Sequence, residues 1–398
     1  PAQIDDFLHP FARTFRRIDI AFLIEFDDLG RTELWFLCDG HSETTPTSFL
    51  YNRILAIAFW EMSSFMANKT TYCRVLFGAF LLGSMFTAQA AVAAQQTGEW
   101  SMAAALPIAR SEMKAANVNG KIYLIGGAYD DNPELNEGTH YDGAFTTEYD
   151  PETDSWRELA RAPEGLTHQA LAVVNGKIYV AGGFGGSTHT LSSAGVYAYD
   201  VSTDQWETLA PFSEPQGGGV LAAVDGKIHA IGGRFGGNET FGTHEVYDPA
   251  SNSWSLAAPL PTPRDHASAF VVDDKIHLIG GRLGPNPSNV GLHDIYDPAT
   301  DSWESAPAMP TGRSSVAFAE YRGMLFVAGG ECSEERTTND EVEAYDLRNQ
   351  SWRSFPALPT ARHAFAAASA DGKLFFFGGS TNCGGAGKLD DTLVLELP

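Results

Sequence analysis

Downstream of about residue 97, short apolar runs alternate with polar, turn-forming residues in a pattern that recurs along the chain. In one such unit, residues 267–272 and 275–279 predict two strands separated by the Asp273-Asp274 turn. Residues 293–296 predict a third strand, and Trp303 lies on a fourth after a polar turn. We therefore expect units of four short antiparallel strands.

The unit is repeated with a nearly constant period. The second predicted strand of each unit ends in a glycine pair, and the pairs are Gly126-Gly127, Gly182-Gly183, Gly232-Gly233, Gly280-Gly281, Gly329-Gly330 and Gly378-Gly379. Their spacings of 56, 50, 48, 49 and 49 residues are matched term by term by Trp100, Trp156, Trp206, Trp254, Trp303 and Trp352. A period near 50 residues is typical of a propeller array.

Turn residues support the same strand boundaries. The first hairpin of four units contains Asn119-Gly120, Asn175-Gly176, Asp225-Gly226 and Asp371-Gly372. Asn-Gly and Asp-Gly favour type I′ turns, in which both central residues need a positive φ. Many of the 40 glycines are accounted for by such backbone positions.

The last unit lacks a tryptophan strand, and the start of the array supplies one. Trp100 precedes the first Gly-Gly unit and is followed by Leu106-Pro107 at the offset that separates Trp254 from Leu260-Pro261. We expect the Trp100 strand to complete the sixth sheet and close the ring. Closure would remove exposed strand edges that favour aggregation.

These motifs resemble the Kelch-repeat β-propeller family. Between Gly-Gly and Trp, five units carry a Tyr-Asp pair, at Tyr149-Asp150, Tyr199-Asp200, Tyr247-Asp248, Tyr296-Asp297 and Tyr345-Asp346. The resemblance covers about residues 97–398 and implies an all-β, six-bladed Kelch propeller. His229 and His277, which precede Gly-Gly pairs, are interpreted as blade-packing residues.

The N-terminal region has a different pattern. Met66 is followed by Lys69 and Arg74, an apolar run over residues 75–86, and Ala88-Gln89-Ala90. This order predicts a signal peptide over 66–90 with cleavage after Ala90, because the apolar run is too short for a stable membrane span. We thus expect a periplasmic or secreted propeller over 91–398, with 1–65 an upstream read-through or unstructured leader. The alternative is a small apolar N-terminal region with 75–86 as a buried segment.

The net charge bears on nucleic-acid binding, and two cysteines bear on disulfide formation. The net charge of -24 opposes nonspecific binding to nucleic acid. Cys332 and Cys383 both follow Gly-Gly pairs of adjacent units. In an exported protein this placement predicts a disulfide between them.

Candidate binding residues gather at one end of the blades. Strand alternation places the loop before the first strand and the loop after Gly-Gly at the same end, which we call the Gly-Gly rim. The candidates there are Arg110, Glu112, His168, Phe184, Arg234, Arg264, His266, Arg282, Arg313, Glu331, Arg362 and His363; Thr167, Asp265, Phe235, Ser315 and Ser380 lie on the same rim. Arginine matches carboxylates and sugar hydroxyls, which suggests an anionic or polyhydroxylated ligand. The alternative is that these arginines bond acidic neighbours or channel-lining carbonyls.

Metal and cofactor signals are weak. The loop over residues 128–138 is rich in oxygen ligands, but its spacing is not that of an EF-hand, so a calcium site is the minor alternative to a solvated acidic loop. No metal ligands and no cofactor are assigned.

No catalytic motif stands out, and we expect a non-enzymatic, monomeric binding module for a protein, peptide or glycan. Galactose oxidase also resembles Kelch blades, but six units and two cysteines in the repeat region argue against a copper site of that kind. The alternative is a sugar epimerase similar to the periplasmic sialic acid mutarotase. The acid or base would then be Glu112 or Glu331.

Overall fold

The computed structural model describes residues 20–26, 32–38, 98–132, 137–141, 143–186, 190–237, 239–285, 287–332 and 336–398. The chain divides into two compact units, Pro1–Gln89 and Ala90–Pro398. In the first unit, Ile20–Phe26 pairs antiparallel with Thr32–Cys38. The predicted signal peptide, residues 66–90, lies outside the described residues. No described helix has the length and hydropathy that would cross a bilayer.

The described residues of the second unit contain six four-stranded antiparallel sheets, which we number as blades 1 to 6. Blade 1 comprises Lys114–Val118, Lys121–Ile125, Thr146–Asp150 and Ser155–Glu158; blade 2 comprises Ala170–Val174, Lys177–Ala181, Val196–Asp200 and Gln205–Thr208; and blade 3 comprises Val220–Val224, Lys227–Ile231, His244–Asp248 and Ser253–Leu256. Blade 4 comprises Ser268–Val272, Lys275–Ile279, His293–Asp297 and Ser302–Ser305; blade 5 comprises Ala317–Tyr321, Met324–Gly330, Asn339–Asp346 and Ser351–Phe355; and blade 6 comprises Ala366–Ala370, Lys373–Phe377, Thr392–Glu396 and Glu99–Ala103.

Two smaller sheets lie in the Gly-Gly rim. Arg110–Ser111 pairs with Ala128–Asn132, which in turn pairs with Glu137–His140. Phe184–Gly185 pairs with Leu191–Ser192. These pairings extend the rim loops of blades 1 and 2 beyond the blade strands.

The two chain ends form one sheet. Glu99–Ala103 pairs antiparallel with Thr392–Glu396, with Trp100 opposite Leu395, so the Trp100 strand is the outer strand of blade 6. The first strands also contact one another in order round the ring, and the first strand of blade 6 contacts that of blade 1. The array is therefore an all-β propeller of six blades.

The Trp positions join neighbouring blades. Each indole Nε1 donates to a backbone carbonyl in the segment that follows the preceding outer strand, at 2.8 to 3.3 Å. Trp156 donates to the carbonyl of Ala104, for example, and Trp100 donates to that of Pro356. Apolar side chains fill the space between sheets, so that Phe377 of blade 6 packs in one cluster with Ile122 and Tyr149 of blade 1. This packing explains why Trp recurs with the period of the blade.

The Gly-Gly pairs lie where adjacent blades approach most closely. The first glycine of each pair has φ between 55° and 73° and the second between 98° and 145°. A Cβ on the first glycine would lie closer than 3.0 Å to a carbonyl oxygen of the next blade. The N–H of the second glycine donates to that same carbonyl, and the series is completed by Gly379 donating to Arg110 of blade 1. Glycine is required here by both backbone conformation and space.

His229 and His277 are buried in second strands, as the sequence predicts. Each lies 2.9 Å, through Nδ1, from Nε2 of a histidine on the third strand, His244 or His293. Burial lowers the pKa of His229 and of His293 to about 4. These four imidazoles are therefore neutral packing groups within blades 3 and 4.

Candidate functional site

Each blade contributes one residue to a ring around the propeller axis, at the Gly-Gly rim. These axial residues are Glu112, His168, Gly218, His266, Ser315 and Ala364, and all have φ between 50° and 69°. The N–H of each donates to the carbonyl of the axial residue in the preceding blade, at 2.7 to 3.2 Å, and Glu112 donates to Ala364. The six peptide groups thus form a closed ring of hydrogen bonds. The first strands begin just beyond it and enclose a channel lined largely by small and apolar residues.

Four of the candidate arginines point away from solvent. Arg110, Arg264, Arg313 and Arg362 precede the axial residues by two positions and are at most 1% exposed. Each guanidinium donates to the carbonyl of the first glycine in its own blade, at 2.6 to 3.2 Å. Their contacts match the structural alternative, in which arginine bonds carbonyls and acidic neighbours.

The same arginines also have polar side-chain partners. Arg264 pairs with Asp294 at 2.8 Å, Arg313 with Glu343 at 2.7 Å and Arg362 with Asp391 at 2.9 Å, while Arg110 donates to Thr147 Oγ1 at 2.7 Å. In blades 2 and 3 the equivalent positions hold Leu166 and Gln216. The four arginines therefore brace individual blades.

The remaining charged candidates meet at the axis. Arg282 donates through Nε to Asp265 at 2.8 Å and through Nη1 to Glu331 at 2.7 Å. Arg234 of the neighbouring blade reaches the other oxygen of Asp265 at 3.5 Å. Ser315 Oγ donates to Glu331 at 3.3 Å. We call these residues, together with Glu112, His168 and His266, the axial polar cluster.

Two histidines in this cluster are held by their neighbours in sequence. His168 Nδ1 lies 2.8 Å from Thr167 Oγ1, and His266 Nδ1 contacts the Asp265 carboxylate. His168 Nε2 lies 3.2 Å from Glu112 Oε2. The ring centroids of the two histidines are 5.0 Å apart. Glu112, His168 and His266 thus converge on one point although 154 residues separate the first from the last.

The protonation states follow from burial and neighbouring charge. Burial, reinforced by the Arg282 charge, holds the pKa of His266 well below its usual 6.5. For Glu112, burial alone would raise the pKa, but the electrostatic interaction and hydrogen bond with His168, followed by the interaction with His363, hold it well below 4.5. The cluster at neutral pH therefore contains an ionised Glu112 beside a neutral His266.

Two further candidates support the loops. Phe184 is buried and meets the His168 ring edge-on at 5.5 Å. His363 is buried, and its Nε2 lies 3.0 Å from the carbonyl oxygen of Asn382. Cys332 and Cys383 form a disulfide with a Cα–Cα distance of 5.5 Å, which confirms the predicted pairing.

The acidic loop of blade 1 uses its carboxylates internally. Asp130 is buried and accepts from Lys388 Nζ at 2.8 Å and from Thr139 at 2.6 Å. Asp131 pairs with His140 at 2.9 Å. Residues 133–136 of this loop lie outside the described residues. The two described aspartates thus have protein partners, and we do not propose a calcium site there.

Exposed apolar side chains lie in three of the rim loops. Leu191, Phe235 and Leu283 lie in the rim loops of blades 2, 3 and 4 and are 66%, 38% and 46% exposed. Phe235 packs against Phe241 with ring centroids 4.6 Å apart. We call Leu191, Phe235 and Leu283 the apolar rim patch. Leu191 and Leu283 were not among the sequence candidates, although Leu283 follows Arg282 just as Phe235 follows Arg234.

Sequence comparison assigns the repeat. The KLHDC2/KLHL20/DRC7 Kelch-repeats domain model matches residues 84–281, and Kelch motif models match residues 263–310 and 312–359. This chain is a Kelch-repeat β-propeller protein. The solved structure of YjhT superposes with a TM-score of 0.61 at 18% identity, over 74% of this chain and 97% of that one. At that identity the likeness concerns the fold alone.

The curated relatives share the repeat over short stretches. Kelch-like protein terF of Aspergillus terreus is 34% identical over 102 residues, which are 25% of this chain and 21% of that protein. Kelch repeat and BTB domain-containing protein 12 of Danio rerio is 30% identical over 90 residues, 23% of this chain and 14% of that protein. Human Kelch-like protein 33 is 33% identical over 95 residues, 24% of this chain and 16% of that protein. The matched stretches span from about a seventh to about a fifth of these relatives.

Proposed function

We propose that this chain is a binding module that recognises a protein or peptide through the Gly-Gly rim of blades 2 to 4. The observation that carries the proposal is the apolar rim patch. Kelch propellers typically bind proteins. Exposed aromatic and aliphatic side chains grouped at one end of a propeller have the composition of the apolar centre of a protein-binding site.

The distribution of exposed apolar residues supports this choice of face. Of the large apolar side chains that are exposed in the described residues, Leu191, Phe235 and Leu283 share the rim, whereas Met102, Leu256 and Val271 lie on blade strands. Three neighbouring blades thus contribute one apolar residue each to one end of the propeller. Grouped apolar side chains mark interaction sites more often than scattered ones do.

Photo-crosslinking tests this proposal by capturing whichever protein contacts the rim. A photoreactive phenylalanine analogue is placed at Phe235 or Leu283, with Leu256 on the outer strand of blade 3 as the matched exposed control. Irradiation of the native host cells is expected to give a protein adduct from the two rim positions and none from position 256. Adducts of equal yield at all three positions, or at position 256 alone, would contradict the proposal.

The disulfide supports the expected export of the propeller, because such bonds persist mainly in oxidising compartments. We propose that residues 66–90 direct the chain to the periplasm or the exterior. N-terminal sequencing of the exported protein is expected to begin at Ala91. A mature chain that still contains Phe7 would exclude this proposal.

A second candidate function is a mutarotase-like sugar epimerase. It is favoured by the convergence of the Glu112 carboxylate with His168 and His266 at the axis, since anomer interconversion needs a general acid and a general base within reach of one sugar. NMR exchange spectroscopy of sialic acid anomers would test it. Acceleration by the wild-type chain that is lost in Glu112→Gln would support the enzyme, and an unchanged rate would exclude it.

A further inference from the structure

The axial polar cluster contains three side chains whose ligand atoms are close enough to share one ion. Glu112, His168 and His266 each offer one such atom, and all three atoms lie within 4.8 Å of one another. They come from the axial positions of blades 1, 2 and 4, where the ring of backbone hydrogen bonds fixes the Cα positions. A set of two imidazoles and one carboxylate is a common donor set for divalent first-row transition metals.

Both histidines are oriented as metal-binding histidines are. Thr167 Oγ1 and the Asp265 carboxylate hold the two Nδ1 atoms, while the Nε2 atoms lie 3.2 Å from Glu112 Oε2 and 3.3 Å from Arg282 Nη2. In metal sites, such partners on the second ring nitrogen fix the tautomer and increase the basicity of the ligand nitrogen. His266, through its contact with Asp265, therefore has the carboxylate–histidine arrangement of such sites.

The charges around the three side chains allow a cation to bind. The cluster has three carboxylates, from Glu112, Asp265 and Glu331, against the two guanidinium groups of Arg234 and Arg282. The formal charges of these five groups sum to one net negative charge.

We propose that Glu112, His168 and His266 form a binding site for a divalent transition-metal ion at the mouth of the propeller axis. The ion would displace two of the contacts that these side chains make. These are the pair between His168 Nε2 and Glu112 at 3.2 Å, and the hydrogen bond of 3.3 Å that Arg282 Nη2 donates to His266 Nε2. Arg282 would keep its contacts with Asp265 and Glu331. Three protein ligands leave coordination positions open toward the rim for water or a ligand atom. The site does not depend on either proposed function.

Metal titration of the full chain after chelator treatment tests the proposal, with Zn²⁺ followed by calorimetry and Co²⁺ by visible absorption. One ion per chain is expected to bind, with Co²⁺ showing the spectrum of nitrogen and oxygen ligation. His168→Gln and His266→Gln are each expected to abolish this binding. His277→Gln is the control for a buried histidine elsewhere, and His140→Gln is the control for an exposed histidine beside a carboxylate.

A milder variant keeps the test decisive if a ligand variant misfolds. Thr167→Val replaces the hydroxyl group that contacts His168 Nδ1 with a methyl group and so keeps the shape of the Thr167 side chain. This variant is expected to weaken Zn²⁺ binding about 10- to 100-fold. Melting temperatures of the metal-free variants report whether each one is folded. Two outcomes would overturn the proposal: no stoichiometric binding by the wild-type chain, or stoichiometric binding that survives His168→Gln and His266→Gln in folded protein, whatever the effect of His140→Gln.

Discussion

At the scale of single residues, arginine has two different roles in this propeller. Arg110, Arg264, Arg313 and Arg362 are buried in individual blades, whereas Arg234 and Arg282 join different blades through Asp265 and Glu331 at the axis. A buried cation stabilises the fold only while its carboxylate partner is present, because each charge alone would be desolvated without compensation.

The Arg313–Glu343 pair of blade 5 gives a test of the bracing role. Arg313→Ala is expected to lower the free energy of unfolding by about 3 to 5 kcal/mol, because it leaves the buried Glu343 carboxylate without its cation. The double variant Arg313→Met with Glu343→Leu is expected to recover most of that loss. Urea denaturation monitored by tryptophan fluorescence measures both. A double variant no more stable than Arg313→Ala would contradict this account of the pair.

The sequence predicted which side chains gather at the rim, but it could not predict where each one points. Arg264 and Arg282 have the same side chain, and both belong to rim segments of blade 4. Arg264 turns into blade 4, where it contacts Asp294 and the Gly280 carbonyl. Arg282 instead reaches Glu331 of blade 5. These partners come from distant parts of the chain, so only the assembled ring separates the two roles.

At the scale of strands, the residues within one repeat unit were sufficient to predict its first and second strands. The predicted second strand over 275–279 is present as Lys275–Ile279, and the predicted first strand over 267–272 begins one residue later, at Ser268. Asn-Gly turns, apolar alternation and the Gly-Gly ends are encoded within each unit, so they can be recognised without the rest of the protein. The outer strand of blade 6 was predicted from repeat spacing instead, because its partner strand is almost 300 residues away.

Substitution of Trp100 tests whether its strand completes blade 6. Trp100 packs against Phe376 with ring centroids 5.4 Å apart, and its Nε1 donates to the carbonyl of Pro356. Trp100→Ala is expected to lower the free energy of unfolding by about 3 kcal/mol, in the range of Trp truncations in packed sites. Met102→Ala, at an exposed position of the same strand, is expected to change it by less than about 0.5 kcal/mol. Equal losses of stability in Trp100→Ala and Met102→Ala, measured by thermal or urea unfolding, would contradict the packing of this strand in blade 6.

At the scale of the whole molecule, three sets of contacts continue from blade 6 to blade 1. They are the ring of axial peptide groups, the hydrogen bond from Gly379 to Arg110, and the apolar cluster that contains Phe377 and Ile122. The ring brings Glu112, His168 and His266 together, and it places Leu191, Phe235 and Leu283 on one face. The sequence had placed Glu112, His168, His266 and Phe235 on this rim, and the structure added that the first three meet at the axis and that Leu191 and Leu283 are exposed on the same rim.

The central claim is that the rim of blades 2 to 4 binds a partner. Once crosslinking has identified that partner, calorimetry can compare its affinity for the wild-type chain, Phe235→Ala, Leu283→Ala and the control Leu256→Ala. Each rim variant is expected to weaken binding at least about tenfold, in line with the loss of more than 1 kcal/mol at a central contact, while Leu256→Ala leaves it unchanged. Affinities that are unaffected by both rim variants would contradict the claim, whatever the effect of Leu256→Ala.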